Sequence, residues 1–328
     1  MLVGLTGGQG FIGKWTTKEL RRRGHAVLIL DHKKRPAEAY SNDPTVDYLW
    51  GDVRDDVAVM ELAAHTDGII HLAAVLGTQE TVDDPRPAAT TNLVGGLNFL
   101  HALKHYDLPG VYICVGNHWM NNPYSISKTT VERFCHMYRD EHETRINQVR
   151  AVNAYGPLQS AAPPYGPAKV RKITPSFVCR ALNGDPIEVY GDGHQVSDMV
   201  HVADLAKTLV DALEHAATGN VHHHVLECGP YAHATVLQIA ETIRDIAARI
   251  TNSDPVPIVH LPMRPGEIPG DTVTADPNTL SDEQQAAQRD RVSSWLDNLP
   301  GAGTTTTDPL QATHEGVTSL FERLQKRD

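Results

Sequence analysis

The feature that most constrains the fold is an apolar segment that runs directly into three regularly spaced glycines. The segment LVGLT at positions 2–6 has the composition of a short buried strand, and Gly7, Gly10 and Gly13 follow it with the spacing GxxGxxG. At such a junction the first glycine permits a tight turn, the second lets a pyrophosphate approach the backbone, and the third lets the next helix pack closely on the strand. The amide groups at the start of that helix would face the phosphates. The junction therefore predicts a strand, a dinucleotide-binding turn and a helix.

The next apolar segment supports this interpretation because it ends in an acid. AVLILD at 26–31 is a second predicted strand, and Asp31 is its last residue. A carboxylate in this place can accept both ribose hydroxyls of an adenosine and would repel a 2′-phosphate, which favours NAD over NADP. Lys33, Lys34 and Arg35 leave NADP as an alternative, and a plain glycine turn with a capping aspartate is another.

Strand-like and helix-like segments alternate along the first half of the chain. The segment after the glycines has helical spacing, with four apolar side chains on one side: Phe11, Ile12, Trp15 and Leu20. Further strands are predicted at 67–74 and 110–116, and further helices near 56–65, 88–106 and 124–141. This alternation is typical of parallel βαβ units, and it predicts an α/β fold built on a doubly wound parallel sheet.

The composition narrows the possible partners and the location. A net charge of -11 over 328 residues argues against a nucleic-acid partner, because binding to phosphates requires a basic surface. No apolar run approaches the roughly 20 residues that span a bilayer, and we expect no signal peptide because the start is not basic. Cys114, Cys135, Cys179 and Cys228 form no CxxC pair, which predicts free thiols in a reducing cytoplasm. The histidine run VHHHV at 221–225 is predicted to be part of a strand, with a metal site as the alternative.

A tyrosine and a lysine stand four residues apart just after one of the predicted strands. The strand at 110–116 is followed, after a short loop, by PYSISK, which contains Tyr124 and Lys128. Positions i and i+4 share one face of a helix, so the two side chains are expected to lie on the same side. A cation close to a phenol stabilises the phenolate and lowers the pKa of the tyrosine, which suits a residue that transfers protons. A surface tyrosine and lysine on an amphipathic helix is the alternative.

These features occur in an order found in a known family. The motifs are TGGQGFIG (6–13), GDVRD (51–55), HLAA (71–74), TNLVGGLNFL (91–100), YSISK (124–128), RAVNAYGP (150–157), VYGDGHQVSDMVHVADLA (189–206) and RPGE (264–267). With them the chain, from its start to about residue 276, resembles the extended short-chain dehydrogenases/reductases, and among them the nucleotide-sugar epimerases and dehydratases. The resemblance implies a Rossmann-type NAD-binding domain at 1–152, to which 190–206 returns, and a smaller C-terminal α/β domain at 153–328 that binds a nucleotide-diphosphate sugar. The last part of the chain falls outside the resemblance, and a helix is predicted there at 309–326.

The resemblance also implies roles for individual residues. Tyr124 is expected to move the proton of a substrate hydroxyl while the nicotinamide takes the hydride, and Lys128 is expected to hold the nicotinamide ribose and lower the pKa of Tyr124. Besides this pair, the residues implied in NAD binding are Gly7, Gly10, Phe11, Ile12, Gly13, Asp31, Asp52, Val53, Leu72, Ala73, Ala74 and Asn92. Asn153, Lys172 and Arg264 are implied in binding the substrate, and no metal is implied.

The loop before Tyr124 departs from the family pattern. Relatives carry a serine or threonine hydroxyl just after the strand, and here that position falls on Gly116 or Asn117. Asn117 can donate a hydrogen bond to the reacting sugar oxygen but cannot relay a proton, whereas His118 can relay one. The loop also has no Asp or Glu, whereas the related dehydratases and decarboxylases carry acidic residues there, which weighs against both activities.

A second departure concerns the diphosphate. Ser197 stands where the family usually has an arginine that binds the pyrophosphate. Lys169, Arg171 and Lys172 are candidate replacements for that charge, and a solvated basic patch is the alternative.

Taken together, the sequence predicts an NAD-dependent epimerase that acts on a nucleotide-diphosphate sugar through a transient keto intermediate. The alternatives are a net NAD-dependent reductase or dehydrogenase, a dehydratase of a sugar nucleotide, and a non-catalytic dinucleotide-binding protein. Retention of both Tyr124 and Lys128 favours catalysis. The resemblance implies a homodimer paired through the helices near 88–106 and 124–141, whose apolar residues exceed what one sheet face needs.

Overall fold

The computed structural model of the protein describes residues 1–33, 42–166, 168–229 and 233–264. Seven strands form its central sheet: β1 (Leu2–Thr6), β2 (Ala26–Asp31), β3 (Val46–Trp50), β4 (Gly68–His71), β5 (Gly110–Val115), β6 (Ile146–Ala151) and β10 (Leu226–Cys228). Their order is β3-β2-β1-β4-β5-β6-β10, and every neighbouring pair is parallel. The order reverses between β1 and β4, which confirms the predicted Rossmann-type doubly wound sheet.

Helices cover both faces of this sheet. One face carries α1 (Phe11–Arg22) and α7 (Val202–Ala217), and the other carries α2 (Asp56–Ala64), α4 (Gly95–Tyr106) and α5 (Pro123–His142). The alternation of strand side chains explains why both faces are apolar: Val27 and Ile29 of β2 join the core under α1 and α7, whereas Leu30 joins the core under α2 and α4. The central strands are therefore buried on both sides, as is usual in parallel sheets, whereas the edge strand β3 exposes Asp47 and Trp50.

The later part of the described chain builds a smaller α/β unit beside the sheet. Its elements are α6 (Ile173–Leu182), β8 (Ile187–Tyr190), α8 (Val236–Thr251) and β11 (Ile258–Leu261). β8 and β11 form a parallel pair, and α6 packs on α8 over a separate core that includes Phe177, Val189 and Ile243. A second short pair joins β7 (Ala154–Tyr155) to β9 (Val200–His201).

Several predicted boundaries need correction. The chain returns to the large sheet with α7 and β10, residues 202–228, which share only 202–206 with the predicted segment 190–206. The reason is that α7 presents Leu205, Leu209 and Leu213 at helical spacing to the sheet core. The histidine run at 221–225 is not a strand, because β10 begins only at Leu226.

The helix predicted near 88–106 is also more complex than its sequence pattern. It begins as α3 (Arg86–Ala88), continues as a π-helical segment (Ala89–Val94) and becomes α4. By contrast, the strands at 2–6 and 26–31 and the helix at 124–141 lie where the sequence predicts them, to within a residue.

Some predicted features lie outside the described residues, namely Lys34, Arg35, the segment 265–267 and the terminal helix at 309–326. Among the helices that the structure describes, none combines the length and apolar character needed to cross a bilayer. Within the same ranges, no group of three or more His, Cys, Asp or Glu residues is placed to hold a metal ion. All four cysteines are free thiols.

Candidate active site

A cleft of about 730 Å³ lies between the large sheet and the smaller unit. Its walls include the residues that follow directly after β1 to β5, and on the opposite side residues of α6 and β8. Ligands of open α/β sheets bind outside the carboxyl ends of the strands, next to the point where the strand order reverses. The cleft therefore occupies the place where this fold holds its ligands.

Nearly all the predicted site residues line this cleft. They are Gly7, Gly10, Phe11, Ile12, Gly13, Asp31, Asp52, Val53, Leu72, Ala73, Ala74, Asn117, Tyr124, Lys128, Asn153, Lys172 and Arg264. Asn92 is the exception and is buried behind the wall. Its amide nitrogen donates to the Val75 carbonyl oxygen (3.1 Å) and the Ser127 hydroxyl (2.9 Å), and its oxygen accepts from the Val75 amide (2.7 Å). Asn92 thus ties the loop after β4 to α5.

Gly7 and Gly13 are required by close approaches of the backbone, whereas Gly10 leaves the start of α1 open. Gly7 has φ +70°, and a Cβ there would lie 2.8 Å from the Ala73 amide nitrogen. A Cβ on Gly13 would lie 2.5 Å from the Gly7 carbonyl oxygen, so the start of α1 packs directly on the turn. A Cβ on Gly10 would meet only that same oxygen, at 3.1 Å. Gly10 is also the N-cap of α1 and provides no side chain to its first amides. A pyrophosphate could therefore reach the backbone here.

Asp31 is fixed at the end of β2 by backbone amides. Its two carboxylate oxygens accept hydrogen bonds from the amides of Gln9 (3.0 Å) and Lys33 (3.1 Å). The Gln9 side chain in turn donates to the Lys33 carbonyl oxygen at 2.7 Å. These bonds hold the carboxylate, which is 6% exposed, beside the glycine turn, where it can face a ribose.

Tyr124 and Lys128 lie in the first two turns of α5, as the sequence predicts. The helix begins cleanly because Pro123 occupies its first position and the Asn122 side chain accepts a hydrogen bond from the Ser125 amide at 2.9 Å. Lys128 is only 2% exposed, and its Nζ has no hydrogen-bond partner among the described residues. A buried ammonium in a cleft wall without an acceptor fits a ligand that brings hydroxyl groups, such as the ribose of NAD.

Burial sets the protonation of this pair. It raises the pKa of Tyr124 to about 12, and the Cys114 thiol acts in the same direction. The expected lowering of the pKa of Tyr124 is therefore not found, because burial disfavours the charged phenolate. Burial lowers the pKa of Lys128 to about 8, while Cys114, Cys135 and Glu132 act to raise it. At neutral pH the site holds a neutral phenol and an ammonium.

The loop 116–122 separates β5 from this pair. Asn117 lines the cleft, and its side-chain nitrogen makes only a long contact of 3.5 Å with the Met120 sulfur. His118 is exposed, lies outside the lining, and its Nδ1 is 3.2 Å from the Gly116 carbonyl oxygen. Of the two candidates for the role of the family hydroxyl, only Asn117 faces the cleft.

Basic and aromatic side chains gather at the other end of the cleft. Arg171 Nη1 donates to the Tyr190 hydroxyl at 2.9 Å, and the Arg264 guanidinium lies 4.8 Å from the centre of the Tyr190 ring. Lys172, the N-cap of α6, lines the same end, whereas Lys169 does not line the cleft. Sequence reasoning missed Tyr190, although the motif that contains it was noted, because nothing in the sequence brings it next to Arg171 and Arg264.

Asn153 and Ser197 are joined to each other at the cleft wall. The Asn153 amide nitrogen donates to the Ser197 hydroxyl and to the Asp198 carbonyl oxygen, both at 2.9 Å. Ser197 is 5% exposed. These bonds fix the loop before β9 against the end of β6, so the serine that replaces the family arginine contributes to the wall.

A doubly wound sheet with a glycine turn at its switch point and a Tyr–Lys pair after β5 defines an extended short-chain dehydrogenase/reductase. The sequence profile of the NAD dependent epimerase/dehydratase family matches residues 3–120 and 116–229. The chain belongs to this family, and its cofactor is NAD. Its relatives are NAD-dependent enzymes that act on sugar nucleotides as epimerases, dehydratases or decarboxylases.

Three similar proteins illustrate that range of reactions. UDP-N-acetyl-alpha-D-glucosaminuronate decarboxylase of Bacillus cytotoxicus is 27% identical over 280 residues, which cover 79% of this chain and 82% of that protein. dTDP-glucose 4,6-dehydratase of Actinoplanes sp. is 30% identical over 273 residues, 74% of this chain and 81% of that protein. The crystal structure of Thermus thermophilus UDP-glucose 4-epimerase in complex with NAD has the same fold, with a TM-score of 0.75 and 23% identity, covering 98% of this chain and 99% of that one.

Proposed function

We propose that the protein is an NAD-dependent epimerase that acts on a nucleotide-diphosphate sugar through a transient keto intermediate. The observation that carries the proposal is the composition of the loop 116–122, which borders Tyr124 and contains no Asp or Glu. Eliminating water from a keto sugar requires an additional acid to protonate the leaving hydroxyl. Epimerisation requires only a hydride carrier and one group that moves a proton, and the cofactor and Tyr124 meet both needs.

The residues of the cleft have distinct proposed roles. When bound, NAD supplies a reversible hydride acceptor. Tyr124, as the phenolate, takes the proton of the sugar hydroxyl as the hydride leaves, and the phenol so formed returns it to the keto oxygen when the hydride comes back. Burial raises the pKa of Tyr124 to about 12 and favours the phenol, so this phenol has to give its own proton to solvent before it can take one from the sugar. Asn117 donates a hydrogen bond that orients this oxygen, and Lys128 holds the ribose hydroxyls of NAD.

The opposite end of the cleft fits the nucleotide-diphosphate part of the substrate. A diphosphate carries at least two negative charges, and Arg171, Lys172 and Arg264 all line this end. Guanidinium groups bind phosphate oxygens with paired hydrogen bonds, which favours the two arginines as the direct contacts. Asn153 supports the wall on this side through Ser197. The smaller unit is accordingly proposed to bind the substrate and residues 1–152 the cofactor.

The location and oligomeric state form part of the proposal. We propose a cytoplasmic homodimer that pairs through the π-helical segment, α4 and α5. Large apolar side chains remain exposed there, with exposed fractions of 40% for Val94, 54% for Ile126 and 37% for Met137. Light scattering at micromolar protein concentration tests this, and a monomer contradicts it.

The reaction can be tested with sugar nucleotides that carry deuterium on the carbon to be oxidised. UDP- and dTDP-hexoses are incubated with the protein and NAD, and the products are analysed by NMR. We expect the epimer to form with the deuterium retained, because the same hydride returns to the same carbon. Tyr124→Phe serves as the inactive control. Release of stoichiometric reduced cofactor indicates a net dehydrogenase, and a 4-keto-6-deoxy product indicates a dehydratase. Tight NAD binding without turnover of any sugar nucleotide indicates a non-catalytic protein, and each of these three results contradicts the proposal.

The substrate end is tested separately with Arg171→Ala. Removing this guanidinium should raise KM for the sugar nucleotide about tenfold, which corresponds to roughly 1.4 kcal/mol, and leave NAD affinity unchanged. Lys169→Ala is a matched control on the same loop, because Lys169 lies outside the cleft lining. Equal effects of the two substitutions would show that the loop contributes only general positive charge.

A further inference from the structure

The ammonium group of Lys128 lies on the face of a buried aromatic ring. Its Nζ is 4.0 Å from the centre of the Tyr112 ring, and Tyr112 is fully buried in β5. A buried cation without hydrogen-bond acceptors is strongly disfavoured. The electron-rich face of an aromatic ring attracts such a cation, and the attraction grows when water is excluded. Tyr112 therefore compensates part of the cost of burying the charge of Lys128.

Tyr112 is itself held in one orientation. Its hydroxyl donates to the Lys128 carbonyl oxygen at 3.1 Å, which ties the ring to the helical turn that carries the lysine. The ring also lies nearly parallel to that of His71, with 6.0 Å between ring centres and 14° between planes. His71 in turn stacks on Phe99 at 4.9 Å and is hydrogen-bonded to the Thr6 hydroxyl at 2.9 Å. The ring is thus fixed from β1, β4, α4 and α5.

We infer that Tyr112 is a positioning residue for Lys128: its ring face keeps the ammonium protonated and in place in the wall of the NAD site, and its hydroxyl fixes the helical turn below. The inference rests on the proposed role of Lys128 toward the ribose of NAD. It does not depend on which sugar nucleotide is bound or which reaction follows.

The surroundings of Lys128 make the inference testable by pH. The titratable groups that face it are His71 on β4, Tyr112 and Cys114 on β5, and Tyr124, Glu132 and Cys135 on α5. Burial holds the pKa of His71 at about 3 and raises those of Tyr112, Cys114 and Cys135, while that of Tyr124 is about 12. Lys128, with a pKa of about 8, changes charge in the range where these five neighbours do not.

The experiment is a titration of the full chain with NADH, followed by cofactor fluorescence, at a series of pH values. In the parent protein we expect the affinity to fall as pH rises through the pKa of Lys128, because the charge-assisted hydrogen bonds to the ribose are lost. Tyr112→Phe keeps the ring face and should keep the midpoint of this fall. Replacing Tyr112 by 3,5-difluorophenylalanine keeps the shape of that variant but withdraws electron density from the ring face. Its midpoint should move to lower pH by about half a unit or more, and that of Tyr112→Leu by about one unit.

Two further variants separate the possible failures. Phe99→Leu truncates the same aromatic stack without touching Lys128, so it should lower thermal stability and leave the midpoint in place. Lys128→Met should abolish the pH step altogether. If the pH step persists in Lys128→Met, both the proposed role of Lys128 and this inference are contradicted. If Lys128→Met abolishes the step but the phenylalanine and difluorophenylalanine variants share one midpoint, the role of Lys128 stands and the inference about Tyr112 is overturned.

Discussion

Gly10 and Gly13 lie three residues apart, yet alanine substitutions at these positions should have different consequences. A Cβ at position 13 would lie 2.5 Å from the Gly7 carbonyl oxygen and 2.6 Å from Gly8 Cα. Both atoms belong to the backbone, so the turn has to open to admit the methyl group. A Cβ at position 10 meets only the Gly7 oxygen, at 3.1 Å. Because Gly10 lines the cleft, its methyl group would instead obstruct the approach of the pyrophosphate.

The magnitudes follow from these distances. Overpacking costs about 1–3 kcal/mol, and alanine regains about 1 kcal/mol of helix propensity in α1. We therefore expect Gly13→Ala to lower the free energy of unfolding by up to about 2 kcal/mol and to weaken NAD binding as well. Gly10→Ala should change the free energy of unfolding by less than about 1 kcal/mol, the difference between glycine and alanine at an N-cap. It should nevertheless weaken NAD binding about tenfold or more, which is at least roughly 1.4 kcal/mol.

Urea denaturation without cofactor gives the stability, and calorimetry with NAD gives the affinity. Gly24→Ala is the matched control: its φ of +83° disfavours alanine, but no atom lies within 4 Å of the added Cβ. It should lose about 1 kcal/mol of stability through backbone strain and bind NAD like the parent. The reasoning is refuted if Gly10→Ala binds NAD as tightly as the parent, or if Gly24→Ala weakens NAD binding as much as Gly10→Ala does.

Three other perturbations probe the catalytic proton, the backbone and a buried charge cluster. Tyr124→Phe should slow hydride transfer about a hundredfold or more and leave NAD affinity nearly unchanged, since only the proton-moving hydroxyl is lost; single-turnover absorbance of the reduced cofactor measures this. Leu158→Gly should raise the free energy of unfolding by about 0.5–1 kcal/mol in urea denaturation. Leu158 has φ +76° and is exposed, so glycine relieves the backbone strain with little loss of packing. Arg150→Met should lower the free energy of unfolding by about 3–5 kcal/mol at neutral pH, because it leaves two carboxylates, Glu132 and Glu227, without their buried partner. Burial raises the pKa of Glu227 above its ordinary 4.5, and losing Arg150 raises it further. The folded variant then binds a proton at Glu227 that the unfolded chain does not bind. Urea denaturation should therefore show that the loss in the free energy of unfolding becomes smaller as pH falls toward 4.5.

The sequence predicts those strands that consist of an unbroken apolar run. β2 and β5 are such runs, and each ends at a glycine or an acid that marks the boundary. β6 was missed because its sequence INQVRA contains polar residues, although Asn147 and Gln148 are fully buried. Their side chains are satisfied by distant backbone groups: Asn147 donates to the Ala212 carbonyl oxygen and Gln148 to that of Glu132. Local composition cannot reveal a strand whose polar groups find partners so far along the chain.

The same limit applies within the active site. Gly7 and Gly13, where the backbone packs too closely to admit a side chain, follow a fixed local spacing and were predicted from it. Asn92 and Tyr112 act on neighbours that are distant in sequence, Asn92 on Val75 and Tyr112 on the side chain of Lys128. Their roles depend on the packing of α4 and α5 against β4 and β5, which a list of motifs does not contain. Sequence motifs thus identify the residues that line the cleft better than the residues that hold those lining residues in position.

Ser197 shows how a missing charge can be misjudged from sequence. The energy of a phosphate in the cleft depends on the distance and exposure of the cations around it, and not on which element carries them. In the loop before β9, the uncharged Ser197 stands where the family usually has an arginine. However, Arg171 before α6 and Arg264 after β11 both lie against Tyr190 at the same end of the cleft. The two arginines are far apart in sequence, and Arg264 comes close to Tyr190, the last residue of β8, because β11 pairs with β8. A departure from a family motif therefore does not by itself show that the cleft lacks the positive charge a diphosphate needs, because that depends on the three-dimensional distribution of charge.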